Sequence, residues 1–97
     1  MTDRKFEAHI TCDRTDSDMV QQVGEATGWS FSTIDGDPIM GKKPYAYLTH
    51  YSTDGHKLLE AGQMVVNILK AHKVISLRLK VEEIVFDSKT EWNVLTK

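Results

Sequence analysis

Lys5–Asp13 reads KFEAHITCD, with Phe6, Ala8, Ile10 and Cys12 alternating against Lys5, Glu7, His9 and Thr11. A period of two is that of a strand with one face buried and the other left for chemistry or a partner. Cys12, the single cysteine, lies on the apolar side. It has no internal disulfide partner and reads as a small core hydrophobe rather than a reactive thiol. The stretch also recurs. Ala8–Asp16 (AHITCDRTD) aligns without gaps with Ala46–Asp54 (AYLTHYSTD), sharing Ala8 with Ala46, Thr11 with Thr49, Thr15 with Thr53 and Asp16 with Asp54.

Working outward, Met19, Val20, Val23 and Ala26 recur at helical spacing behind the polar cluster Arg14–Asp18. This predicts a helix from about Ser17 to Thr27, capped by Thr15 or Asp16 and stopped by Gly28 in a left-handed conformation. Trp29–Ile34 (WSFSTI) alternates as a second strand, with the inward set left open. The glycines and proline of Asp35–Lys43 (DGDPIMGKK) mark a hairpin loop or a mobile flap. Pro44–Ser52 (PYAYLTHYS) is a third strand, with Tyr45, Tyr47, Thr49 and Tyr51 on one face and Ala46, Leu48 and His50 on the other, the smaller apolar residues facing the core. After Thr53 and Asp54 as cap candidates, Leu58, Ala61, Val65, Ile68 and Leu69 form the buried stripe of a helix over Lys57–Ala71. Val74–Asp87 is a long final strand. In it Ile75, Leu77, Leu79 and Val81 point inward, and the changed parity of Ile84 and Phe86 suggests a bulge near Glu82 and Glu83 or a change of face. Ser88–Lys97 is a polar tail or an added edge strand.

The order strand, helix, strand, strand, helix, strand is that of the α+β, ferredoxin-like βαββαβ superfold, an antiparallel four-stranded sheet with two helices on one face. Its strand order is 4-1-3-2, and the first and third strands are expected side by side and parallel, with His9 and Tyr47 equivalent about a pseudo-twofold on the face the helices leave open. All of 1–97 reads as one domain, since 97 residues support a single modest core.

Composition narrows the function. With 40% hydrophobic residues, 27% charged residues and a net charge of −2, the chain is an ordinary globular one rather than a polyanion-coating or disordered one. It has no apolar run of roughly 20 residues and no apolar signal-peptide core, which argues for a cytoplasmic protein without a membrane span.

If the last strand runs antiparallel beside the first, opposing Thr11 to Ser76 also opposes His9 to Arg78, Glu7 to Lys80 and Lys5 to Glu82. Two of these are opposite-charge pairs, worth roughly 0.2–1 kcal/mol each. His9, Thr11, Tyr47, Thr49, Tyr51 and Arg78 then share the open face. Histidine exchanges protons near neutral pH and arginine holds anions, so the group suits a small anionic ligand. The tyrosines equally suit an interface, and a homodimer formed over this face is the expected assembly.

His9-Ile10-Thr11 resembles the H-x-[T/S] motif of the 2H phosphoesterases, a family that cleaves cyclic phosphates and RNA ends with two such motifs on paired strands. The resemblance implies His9 as acid or base and Thr11 as a phosphate-holding hydroxyl. His50-Tyr51-Ser52 is a second literal match, but strand parity puts His50 on the other face, and the internal repeat aligns Tyr47-Leu48-Thr49 where a second motif belongs.

No metal site or cofactor is expected. His9, His50, His56 and His72 lack zinc-ligand spacing, and helix capping accounts for Asp13, Asp16 and Asp18 better than a calcium loop does. Gly41-Lys42-Lys43 does not open a helix and is too short for a phosphate loop. Nucleic acid is disfavoured as well. Tyr47 and Tyr51 could stack bases, but the chain is acidic and has no K/R-G-F-x-F run. The expectation is therefore a small module that binds or self-associates through its open sheet face. The alternative is a small 2H-like phosphoesterase or other acid/base enzyme in which His9, Thr11 and Arg78 act.

Overall fold

The computed structural model describes residues 4–37 and 39–85. Strand β1 (Arg4–Asp13) is followed by a 3-10 turn (Arg14–Asp16), helix α1 (Ser17–Thr27), strands β2 (Ser30–Ile34) and β3 (Tyr45–Ser52), helix α2 (Gly55–Ala71) and strand β4 (Arg78–Val85). The strands form one sheet in the order β2-β3-β1-β4, every neighbouring pair antiparallel. The two helices and single antiparallel sheet make this an α+β domain.

The parity of β1 sets the core. Ala8, Ile10 and Cys12 are fully buried, as are Ala46 and Leu48 beside them on β3, and they pack with Val20 and Val23 of α1 and Leu58, Val65 and Leu69 of α2. Both helices therefore lie on the same face of the sheet. In β2 the inward set is Trp29, which directly precedes the strand, and Phe31. Gly24 lets α1 approach closely: a Cβ there would lie 2.7 Å from Leu48 Cδ2 and 2.9 Å from the Trp29 carbonyl.

Helix ends follow local chemistry, with one exchange of roles. Gly28 closes α1 at φ 80°, as the sequence predicts. The expected caps Thr15 and Asp16 do not cap it: Asp16 makes no side-chain cap bond, and Asp13 caps the preceding 3-10 turn instead, accepting from the Thr15 N–H at 2.9 Å. Asp54, aligned with Asp16 in the repeat, does cap α2 through the Lys57 N–H at 3.1 Å. At the other end of α2, the Val74 N–H reaches the Leu69 carbonyl and the Lys73 N–H the Lys70 carbonyl, both at 2.9 Å. Lys73 takes the left-handed position at φ 65°. This is a Schellman end, completed by the contact side chains Val74 and Leu69, both buried.

Four expectations are corrected. β1 and β3 are antiparallel, because the short hairpin after β2 reverses the chain and β1 and β2 run the same way through the α1 crossover. The final strand begins at Arg78 rather than Val74. The Schellman end draws Val74 into the core, so Ile75 and Leu77 lie in the connection and are 64% and 58% exposed. The β1–β4 register is displaced by two residues from the one expected, pairing Thr11 with Arg78, His9 with Lys80, Glu7 with Glu82 and Lys5 with Ile84. A slip of two preserves every face, so alternation alone does not select it. The packing of Leu79 into the space left by Gly62 of α2, where a Cβ would meet Leu79 Cδ1 at 2.8 Å, does. Pairing runs without interruption from Thr11 with Arg78 to Arg4 with Val85, so no bulge occurs at Glu82 or Glu83, and Ile84 falls on the open face. The loop before β3 is closed by an Asp37–Lys42 bridge with two backbone hydrogen bonds of 2.9 Å. Phe86 and the Ser88–Lys97 segment lie outside the described residues. Among the described residues no helix is long and apolar enough to cross a membrane.

Candidate functional site

Antiparallel pairing arranges the open face in rows that cross the sheet. One row reads Ser32, Tyr47, Thr11, Arg78, and the next Ser30, Thr49, His9, Lys80. All of these side chains except Ser30 line an open concavity of about 630 Å³, with Ile34, Tyr45, Leu77 and Glu82 at its margins. Five of the six site residues read from the sequence, His9, Thr11, Tyr47, Thr49 and Arg78, are thus brought together. Tyr51 shares the face but lies one row outside, opposite Glu7 and 47% exposed, with Lys5 Nζ 4.9 Å above its ring.

His9 is held from both sides. Its Nδ1 lies 3.0 Å from Thr49 Oγ1, and its Nε2 pairs with the Glu7 carboxylate. For the neutral ring this network assigns Nε2–H as donor to Glu7 and Nδ1 as acceptor from the Thr49 hydroxyl; when the ring is protonated both nitrogens donate and the hydroxyl turns to accept. Glu7 also faces Tyr51 across the β1–β3 pair, and its carboxylate, through hydrogen bonding and charge, holds the phenol above its ordinary range. Glu7 is the functional residue that the sequence reading left out of the site. Its position two before His9 already placed both on one face, but the expected register assigned it to Lys80.

The observed register sets Glu7 directly opposite Glu82, a like-charge pairing that is unfavourable unless neutralised. Each carboxylate finds a cationic or donor neighbour along its own strand, Glu7 in His9 and Glu82 in Lys80 at 2.9 Å. The Lys80 hydrogen bond is the main reason that Glu82 titrates below the usual carboxylate range. The expected pairs Glu7–Lys80 and Lys5–Glu82 do not form. Arg78, in the row of Thr11 and Tyr47, has no carboxylate partner among the described residues.

His50 belongs elsewhere. It projects from β3 on the side of the helices, opposite Ala8, and its ring stacks on Trp29 at 5.2 Å and 25°. His50-Tyr51-Ser52 therefore contributes no second histidine to the concavity. Among the described residues no group of three or more His, Cys, Asp or Glu side chains is placed to hold a metal ion. Cys12 is fully buried, and burial pushes its thiol up to about 11, with Asp16 adding to the effect.

No protein-family model matches the chain, and no curated protein matches it.

Proposed function

We propose that the chain is a ferredoxin-like domain that binds a small anionic ligand on its open sheet face. The fold reading is supported by the strand order, which from the β4 edge runs β4-β1-β3-β2, by antiparallel pairing throughout and by both helices packing on one side. The functional reading is carried by one observation: Arg78 makes no ion pair among the described residues, its charge reaching Glu82 only at longer range, and it stands at the edge of a concavity whose floor is hydroxyls and His9. A guanidinium offers a fork of N–H donors, the hydroxyls of Thr11 and Tyr47 add further donors, and His9 adds positive charge when protonated. Calorimetric titration with inorganic phosphate tests this. Binding is expected to weaken roughly ten-fold in Arg78→Gln, the loss of one charge-assisted contact. Absence of binding, or an Arg78→Gln variant that binds as wild type does, contradicts it.

A second reading is favoured by the Glu7–His9–Thr49 chain. A carboxylate that orients an imidazole against a hydroxyl is the arrangement by which a proton is taken up and returned. In a small phosphoesterase of this kind His9 moves the proton while Thr11 and Arg78 hold the phosphate. His9→Ala then abolishes turnover of a cyclic phosphate while the fold survives; a wild-type protein without turnover at any pH removes this reading. Self-association over the same face is separated by sedimentation, where Tyr47→Ala or Tyr51→Ala would shift a dimer towards monomer.

A further inference from the structure

The concavity is not uniform. Towards β4 it presents Arg78 and the Lys80–Glu82 ion pair beside Thr11 and His9, whereas its other end is formed by Tyr45, Tyr47 and Ile34. The rings of Tyr45 and Tyr47 stand 6.1 Å apart at 65°, so they make a corner rather than a flat floor. Ile34 on β2 and Leu77 beside β4 flank this space from opposite sides, 54% and 58% exposed, large apolar side chains left in water at the rim of a polar hollow. Such a combination, apolar walls with a few convergent polar groups, is the usual make-up of a small-molecule site. Its size points the same way. Three strand spacings separate β2 from β4, about 14 Å, and about 630 Å³ is far more than an inorganic anion fills.

We infer that the ligand is an aromatic phosphate monoester, its ring lodged in the corner of Tyr45 and Tyr47 against Ile34 and its phosphate directed to Arg78 and Thr11. This rests on the anion site proposed above and specifies what is joined to the anion. Phosphate is preferred to carboxylate because its three free oxygens accept from several donors at once, which matches a guanidinium surrounded by hydroxyls. The ring takes an offset or edge-on place on the tyrosines, the arrangement aromatic pairs favour.

Calorimetry on the full chain with four probes tests the inference: inorganic phosphate, ethyl phosphate, phenyl phosphate and benzoate. Phenyl phosphate is expected to bind roughly ten-fold more tightly than ethyl phosphate, the scale of burying one ring face. Ile34→Ser and Tyr45→Ser are expected to bring phenyl phosphate down to the affinity of ethyl phosphate, and Arg78→Gln to weaken all three phosphates. Equal affinities for ethyl and phenyl phosphate overturn the ring site and leave the anion site standing. Benzoate binding more tightly than phenyl phosphate overturns the choice of phosphate. A preference for phenyl phosphate that survives both Ile34→Ser and Tyr45→Ser places the ring elsewhere and also overturns the inference. No binding by any of the four removes the anion site along with it.

Discussion

His9 shows how one side chain acquires a defined state from its neighbours. On a bare strand surface an imidazole samples several rotamers, but Glu7 on one nitrogen and Thr49 on the other leave it one ring orientation. Glu7 also carries the Tyr51 hydroxyl, which yields a check on the whole cluster. Ionising Tyr51 puts a second negative charge beside Glu7, so the phenol of the wild-type protein titrates above an ordinary tyrosine. In Glu7→Gln the charge is gone, and the Tyr51 ring carbon followed by NMR should titrate at lower pH; an unchanged midpoint would contradict the assigned contact. Cys12 gives a second prediction. Its thiol is held near 11 in the folded chain against about 9 when exposed, so the native state keeps its proton after the unfolded state has lost it. Stability contributed by this group is fully present below pH 9 and declines as pH rises towards 11, by at most roughly 2–3 kcal/mol. Denaturation midpoints measured across that range should fall less steeply in Cys12→Ala than in the wild type.

At the scale of elements, the strands and helices were legible wherever a period met a strong stop. The bounds of α1 follow from its apolar spacing and Gly28, and the faces of β1 and β3 follow from alternation. Register was not legible, because alternation is unchanged by a slip of two, and the choice rests on Leu79 meeting Gly62 across the core. The start of β4 was hidden for a related reason. Ile75 and Leu77 continue the alternation of Leu79 and Val81, but the Schellman end of α2 diverts the chain before the strand can begin. That end contains a local strain. Lys73 sits at φ 65°, where a side chain clashes with the backbone by roughly 1–2 kcal/mol and glycine does not. Lys73→Gly should raise the unfolding free energy by about 1 kcal/mol in urea titrations, after the loss of unfolded-state restriction. A destabilised variant would show that the lysine side chain makes a contribution beyond its backbone geometry.

For the molecule as a whole, the repeat of Ala8–Asp16 in Ala46–Asp54 is the feature that organises the site. The repeat equates Ile10 with Leu48, and β1 and β3 pair these two residues opposite one another, so the pseudo-twofold passes between them. The same operation exchanges His9 with Tyr47 and Thr11 with Thr49, which sets all four around one centre on the face away from the helices. That grouping is legible in the sequence whatever the strand directions, because an antiparallel pair and a parallel pair share the same alternation of faces. The asymmetry comes from β4, where Lys80 is paired with Glu82 and Arg78 is left as the cation, with only Ser32 as its row-mate on β2. An anion on this face should therefore sit towards β4.

The most direct measurement is a ¹H–¹⁵N NMR titration of the full chain with phenyl phosphate. Saturable shifts are expected to concentrate at His9, Thr11, Tyr47, Thr49 and Arg78, with Leu58 and Val65 of α2 and His50 on the helix side of β3 unmoved. Shifts confined to the helical side of the sheet, or none at millimolar ligand, would contradict the proposed site.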